Sequence, residues 1–357
     1  MSQDPTSAAL ARQQPIRTEW LKATIEDIVD PQQQIVDPHH HLWDKPGSRY
    51  LFDELLEDLQ SGHNIIATIF APCHSMYRAR GPVEMKPLGE TEFVNGAAAQ
   101  SDSGEYGAVS VCAGIIGEVD LSLGGRVEPV LEAHLRAAGP RLRGIRPTVG
   151  WHESAEVRVG DNRPHMLTEP KFQEAIRCIE ARGLTLDLWV FFTQIDDVIA
   201  LAQKFPNLTI ILNHVGGLLG IGPHAGRNQE TVRSWRQAML NVARYQNVVL
   251  KLGGLGMRYA GFKFHELPKA PSSDMLVEKW KPYIETCIEI FGPRRCMFES
   301  NFPVDKGSYS YHVLWNAFKK LAAGHSKDER NRLFRDTAIQ TYRLNLPASA
   351  QSPTAPA

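Results

Sequence analysis

The stretch Ile35-Val36-Asp37-Pro38-His39-His40-His41-Leu42-Trp43 ends a short apolar run on three successive histidines. Read as a strand, it puts Asp37, His39 and His41 on one face, because side chains two residues apart point the same way. The two imidazoles then converge at the strand's C-terminal end, an arrangement suited to holding a catalytic metal or polarising a carbonyl. His40, on the opposite face, is expected to be structural. A doubly wound open sheet usually carries a glycine-rich phosphate loop after its first strand. Here histidines occupy that place.

Seven more apolar runs follow, at 65–70, 109–115, 143–149, 185–191, 208–213, 247–252 and 295–299. Several are continuously apolar, as strands covered on both faces are. Between them, 127–138, 170–182, 195–204, 230–244 and 274–291 have helical spacing. Thr168 before Glu169-Pro170 and the run Ser272-Ser273-Asp274 read as helix starts, and Gly183 as a stop. The alternation predicts an α/β fold, a distorted (β/α)8 TIM barrel over 34–346. Residues 1–33 are expected to form an N-terminal arm packed on it, and 347–357 a disordered tail. The open doubly wound sheet is the alternative. Its fingerprint is imitated at Gly220-Ile221-Gly222-Pro223, but the proline and the lack of a strand immediately before it make this a loop. The stretch 71–108, long for a connection after the second strand, reads as a substrate-covering loop.

With 43% hydrophobic and 22% charged residues and a net charge of −1, the 357-residue chain has no electrostatic bias toward nucleic acid or an anionic membrane. No apolar stretch approaches the roughly 18 residues of a membrane span, and the polar N-terminus does not resemble a secretory signal. The cysteines are odd in number and scattered, with no C-x-x-C pair, so reduced thiols and a cytoplasmic location are expected. Cys73-His74 is a poor thiol–imidazole pair, since neighbours on a strand point apart. Neither a Gly-x-Ser-x-Gly elbow nor a His-Glu-x-x-His helix is present.

A TIM barrel carries its site at the C-terminal ends of its strands. The first strand brings His39 and His41 there, the fourth Arg146 and then His152, and the sixth His214. The seventh contains Lys251, expected to pair with Glu299 inside the barrel, and the eighth ends in Glu299-Ser300-Asn301. Arg146, together with Arg78 from the 71–108 loop, offers planar two-pronged donors for a substrate carboxylate. Tyr77, His152 and Lys251 complete the candidate substrate-binding set.

The Asp-x-His-x-His run, Leu142-Arg143-Gly144-Ile145-Arg146, Asn213-His214-Val215-Gly216, Val249-Leu250-Lys251-Leu252-Gly253-Gly254 and Met297-Phe298-Glu299-Ser300-Asn301-Phe302-Pro303-Val304 together resemble the amidohydrolase superfamily. The similar branch contains 2-pyrone-4,6-dicarboxylate lactonase and the fuconolactonase-like sugar lactonases, and the resemblance spans roughly 34–345. It implies hydrolysis of a small cyclic ester. In that chemistry His39 and His41 polarise the carbonyl or bind the attacking water, and His214 orients the nucleophile or stabilises the oxyanion. One divalent ion, Zn or Mn, on His39, His41 and His214 is implied by some members of the branch, and metal-free catalysis by others. The family's eighth strand usually ends in Ser-Asp-Trp-Pro; here Asn301 stands at the aspartate position, and a carboxamide cannot accept a proton at neutral pH. Glu299, two residues earlier on the same face, is expected to supply part of the missing charge. The alternatives are a metal-dependent decarboxylase of an aromatic acid and a weakened barrel that only binds a small ligand. A small molecule is the expected partner, and a homo-oligomer is left open.

Overall fold

All eight apolar runs become parallel strands. The computed structural model describes residues 14–347. Its barrel strands are β1 (Gln34–His40), β2 (Asn64–Phe70), β3 (Ser110–Gly117), β4 (Leu142–Ile145), β5 (Thr185–Leu188), β6 (Ile210–Leu212), β7 (Val248–Leu252) and β8 (Cys296–Phe298), hydrogen-bonded in that order. The ring closes beyond the last regular pair: Asn301 N–H donates to the His39 carbonyl at 2.9 Å, and His41 N–H to the Phe302 carbonyl at 2.7 Å. The residues completing the barrel are therefore the ones the sequence marks as chemical. β4 is shorter than the run 143–149. Pro147 has no N–H to give a neighbour, and the chain rejoins the sheet only at the Thr148–Trp189 bridge.

Helices Glu128–Ala138, Pro170–Ala181, Ile195–Lys204, Gln229–Val242 and Ser273–Phe291 stand where helical spacing put them. Their apolar faces pack on the outer face of the strands, forming the larger core. A second core fills the barrel's interior, where Val36, Ile69, Ile211 and Met297 meet Tyr342, Leu344 and Leu346 of the C-terminal segment. That segment thus plugs the barrel. A two-stranded hairpin, Trp43–Lys45 with Ser48–Tyr50, follows β1.

The 71–108 stretch departs from expectation, for it contains the 15-residue helix Leu88–Asp102. Gly89, Asn95 and Gly96 are weak helix formers, and its small buried residues make no apolar stripe. Within the described residues, the N-terminal arm packs on the connection after β7: Trp20 Nε1 donates to the Leu267 carbonyl at 3.0 Å and Thr24 Oγ1 to the Ala270 carbonyl at 2.6 Å. Residues 348–357 of the predicted tail lie outside the described residues. No described helix is long and apolar enough to cross a membrane.

Candidate active site

The site is built on Glu299. Just past β8, it is fully buried, and its Oε1 accepts from His214 Nδ1 at 2.7 Å and from the His214 backbone N–H at 3.1 Å. Its Oε2 lies 2.8 Å from His39 Nδ1. A carboxylate enclosed in a barrel needs such partners to remain charged. Room for them comes from Gly253-Gly254: a Cβ on Gly253 would stand 2.4 Å from Glu299 Cγ, and one on Gly254 2.5 Å from the His214 ring. His214 sits at φ 56° and Asn301 at φ 56°, so the chain turns sharply after both β6 and β8 and presents these side chains inward.

Beside Glu299 lies a second buried pair. Lys251 Nζ is 2.8 Å from Asp187 Oδ1, which also accepts from Tyr342 at 2.7 Å and Asn213 at 3.2 Å. Lys251 approaches His39 Nδ1 at a looser 3.4 Å. Its ion-pair partner is thus Asp187 and not Glu299, as expected from sequence, because Glu299 is already shared by two imidazoles.

All three imidazoles are held below the ordinary histidine value, chiefly by burial. For His39 the Lys251 charge adds to the effect and for His41 the Arg146 charge does, whereas Glu299 opposes it at His214. They are therefore neutral bases at neutral pH. The proton of His214 lies on Nδ1 facing Glu299, which leaves its Nε2 lone pair free, and His214 lines the cavity.

That cavity, of about 560 Å³, opens over the C-terminal ends of the strands. His41, His214 and Asn301 reach its wall, while His39, Glu299 and Lys251 lie deeper. Trp43, Trp189 and Tyr259 give it flat apolar surfaces, and Lys45, His74, Arg146, Arg158 and Arg258 give it positive charge, against Asp161 alone of the acidic residues among those described. Arg146 donates to the Pro72 carbonyl at 3.1 Å, and its buried Nε has no hydrogen-bond partner.

Three of the expected residues stand elsewhere. Arg78 is exposed and paired with Glu92 through Nε at 3.0 Å. Tyr77 donates to Glu118 at 2.8 Å, beneath His74, and His152 meets His224 with their Nε2 atoms 3.2 Å apart. None of the three lines the cavity. Nor does Cys73 make a nucleophilic pair with His74. Its thiol is directed at the Leu42 carbonyl and Glu90, burial and that carboxylate hold its pKa well above the ordinary value, and His74 pairs instead with Glu118 at 3.2 Å.

The residues present fit a divalent cation, in a set different from the expected one. His39, His214 and Glu299 offer ligand atoms within 4.8 Å of one another. His41, expected in that set, is left out; its Nδ1 donates to the Ala71 carbonyl at 2.9 Å, and its Nε2 faces Asn301 Oδ1 at 3.3 Å. Moreover, among the described residues nothing offers a hydrogen bond to the buried His39 Nε2. An unfilled acceptor at the floor of a cavity is what a cation or water completes. Two nitrogens, one carboxylate and open space beyond are a donor set that suits zinc or manganese and leaves a position for water.

The amidohydrolase family model matches residues 36–344. The chain is 31% identical over 332 residues to the uncharacterized protein y4mH of Sinorhizobium fredii, covering 87% of this chain and 98% of that one. It is 26% identical over 291 residues to an L-fucono-1,5-lactonase of Burkholderia ambifaria, covering 78% and 90% respectively. Among solved structures, an amidohydrolase from Burkholderia multivorans with bound zinc superimposes with a TM-score of 0.67 at 23% identity, covering 87% of this chain and all of that one.

Proposed function

We propose that this chain, which belongs to the amidohydrolase family, hydrolyses the ester bond of a small carboxylated lactone. The observation that carries the reading is the buried Glu299 shared by His39 and His214 directly beneath a cavity rich in positive charge. The name of the L-fucono-1,5-lactonase relative supports lactone chemistry. The cationic wall favours a substrate that itself carries a carboxylate.

The chemistry follows from the protons. Glu299 holds the His214 proton on Nδ1, so Nε2 can take a proton from water lying in the cavity. The imidazolium that forms is stabilised by the same carboxylate, and buried charge pairs of this kind act strongly where water is excluded. Arg146, which lines the cavity, binds the substrate carboxylate through its guanidinium. Trp189 and Tyr259 flank a flat ring. A divalent ion, if bound, would instead be held by His39, His214 and Glu299, and would polarise the ester carbonyl and lower the pKa of water in place of the His214 base. Ring opening yields a carboxylate and a hydroxyl, and His214 returns its proton to the leaving oxygen.

The test is acid release in a pH-stat from 2-pyrone-4,6-dicarboxylate and from L-fucono-1,5-lactone, with carbon dioxide measured in parallel. The anionic lactone should be turned over faster, and His214→Ala should abolish turnover. Carbon dioxide release would favour a decarboxylase instead. Saturable binding without turnover would favour a ligand-binding barrel.

A further inference from the structure

The cavity wall carries a second imidazole backed by a carboxylate. His74 borders the cavity with 48% of its side chain exposed, and its Nε2 lies 3.2 Å from Glu118 Oε2. Glu118 stands just past β3, behind the wall, with 13% of its side chain exposed. Tyr77 donates to the same oxygen at 2.8 Å, and the Thr148 hydroxyl approaches Oε1 at 3.4 Å. The Tyr77 ring also lies nearly parallel to His74, with centroids 5.8 Å apart.

The backbone is shaped to put the ring there. Glu90, buried in the helix Leu88–Asp102, accepts with Oε1 from the N–H of Cys73 at 3.1 Å and of Ser75 at 2.7 Å. His74, between them, stands at φ 61°, a left-handed conformation that a non-glycine residue keeps only where its surroundings enforce it. The two carbonyls before it are gripped by cations of the same wall: Arg146 donates to Pro72 and Lys45 to Cys73, each at 3.1 Å. The protons run one way. A carboxylate only accepts, so the two hydroxyls and His74 Nε2–H all turn toward Glu118. His74 Nδ1 meets no partner among the described residues and is the ring nitrogen left for a ligand. Burial works against a charge on this ring, but Glu118 outweighs it and holds His74 above the ordinary 6.5; Glu90 adds to that and Lys45 opposes it.

We propose that His74 is a specificity-determining residue, an imidazolium that Glu118 orients so that Nδ1–H receives a second anionic group on a ligand whose first carboxylate lies on Arg146. This deepens the hydrolytic reading above and rests on it for the ligand being a small carboxylated ring. With a carboxylate behind Nε2 and an anion before Nδ1, both ring protons are used in charge-assisted bonds. Arg146 is a permanent cation, whereas an imidazolium can be discharged. Once neutral, the ring keeps its remaining proton on Nε2 for Glu118 and turns a lone pair to the ligand, which repels the anion that the charged form attracts.

Benzene-1,3-dicarboxylate and benzoate test this without turnover, since both are flat anionic rings and neither has an ester to cleave. In isothermal titration calorimetry of the full chain at about pH 6, His74→Gln should weaken the dicarboxylate about tenfold, the modest worth of a charge-assisted bond on a half-exposed ring. Benzoate, seated on Arg146, should weaken by less than about twofold, which also shows that the variant is folded. The second readout is pH. An imidazolium is present below its pKa, so wild-type affinity for the dicarboxylate should fall as pH rises toward about 9, with a midpoint above 6.5. That step should be missing in His74→Gln, and in Glu118→Gln it should move to lower pH because the imidazolium has lost its counter-charge. A His74→Gln protein that binds the dicarboxylate as wild type does, or loses benzoate equally, overturns the proposal. So does wild-type protein that prefers the dicarboxylate no more than benzoate, or a step that stays in place in Glu118→Gln. Binding as described with no lactone turned over would sink only the hydrolytic reading.

Discussion

Replacing Glu299 by glutamine exchanges one carboxylate oxygen for an NH2 and keeps the shape. The wild-type carboxylate receives His214 Nδ1 at 2.7 Å and the His214 backbone N–H at 3.1 Å on one oxygen, with His39 Nδ1 2.8 Å from the other. Glutamine keeps one acceptor. With its oxygen toward His214, its NH2 faces His39; turned round, it faces two His214 donors. A hydrogen bond to a charged group is worth roughly 1.5–3 kcal/mol, and removing one partner of a buried pair costs about 3–5 kcal/mol. The larger part falls on the transition state, where the His214 imidazolium has lost its counter-charge. At about 1.4 kcal/mol per decade, 3–5 kcal/mol is a fall of roughly 10²- to 10⁴-fold in kcat/KM. The assay is initial-rate lactone hydrolysis by pH-stat, with far-ultraviolet circular dichroism to establish that the variant is folded. A folded Glu299→Gln protein retaining turnover within about fivefold of wild type would refute the reasoning, since a lost counter-charge cannot cost so little.

Burial holds His39, His41 and His214 below the usual 6.5, and the neutral ring is the active form. Activity is then full above the lowered values and lost as pH falls through them. The acid limb of the kcat/KM profile should have its midpoint below 6.5, and a midpoint at or above that value contradicts the burial argument. Gly254→Ala would set a Cβ 2.5 Å from the His214 ring at a φ of 68°, so it should cut kcat/KM by about 100-fold through displacement of His214; steady-state kinetics on the folded variant checks this. Lys251→Met leaves Asp187 buried without its ion-pair partner, and urea unfolding should show a loss of about 3–5 kcal/mol.

The barrel was legible because each strand is a short apolar run with its polar residues at one end, and burial on both faces requires that pattern. His39 at the end of β1 and Glu299 just past β8 announced the site in the same way, whereas Asp37 bonds the Tyr311 hydroxyl and the Ser300 N–H and does not reach the cavity. The Lys251–Asp187 pair had a visible sign that went unread: each is a lone charge inside an apolar strand, Val248–Leu252 and Thr185–Leu188, and opposite lone charges in one barrel must meet. Arg78 and Tyr77 misled because their loop runs into the helix Leu88–Asp102, which turns Arg78 outward to Glu92. Nothing periodic marks Arg158 or Asp161, whose loop after β4 helps enclose the cavity. The plug at Tyr342 and Leu344 reads as an ordinary helix end, because its partners are scattered along the whole chain. Asp305, four residues past Asn301 and hydrogen-bonded to it at 2.9 Å, stands in no periodic run that would mark it.

Hydrolysis in 18O-labelled water tests the central claim most directly, that a base held by Glu299 drives water onto a lactone carbonyl. Mass spectrometry of the product should find one 18O per turnover, in the newly formed carboxylate. Label in the liberated hydroxyl, or a product that has lost carbon dioxide and carries no label, would contradict it.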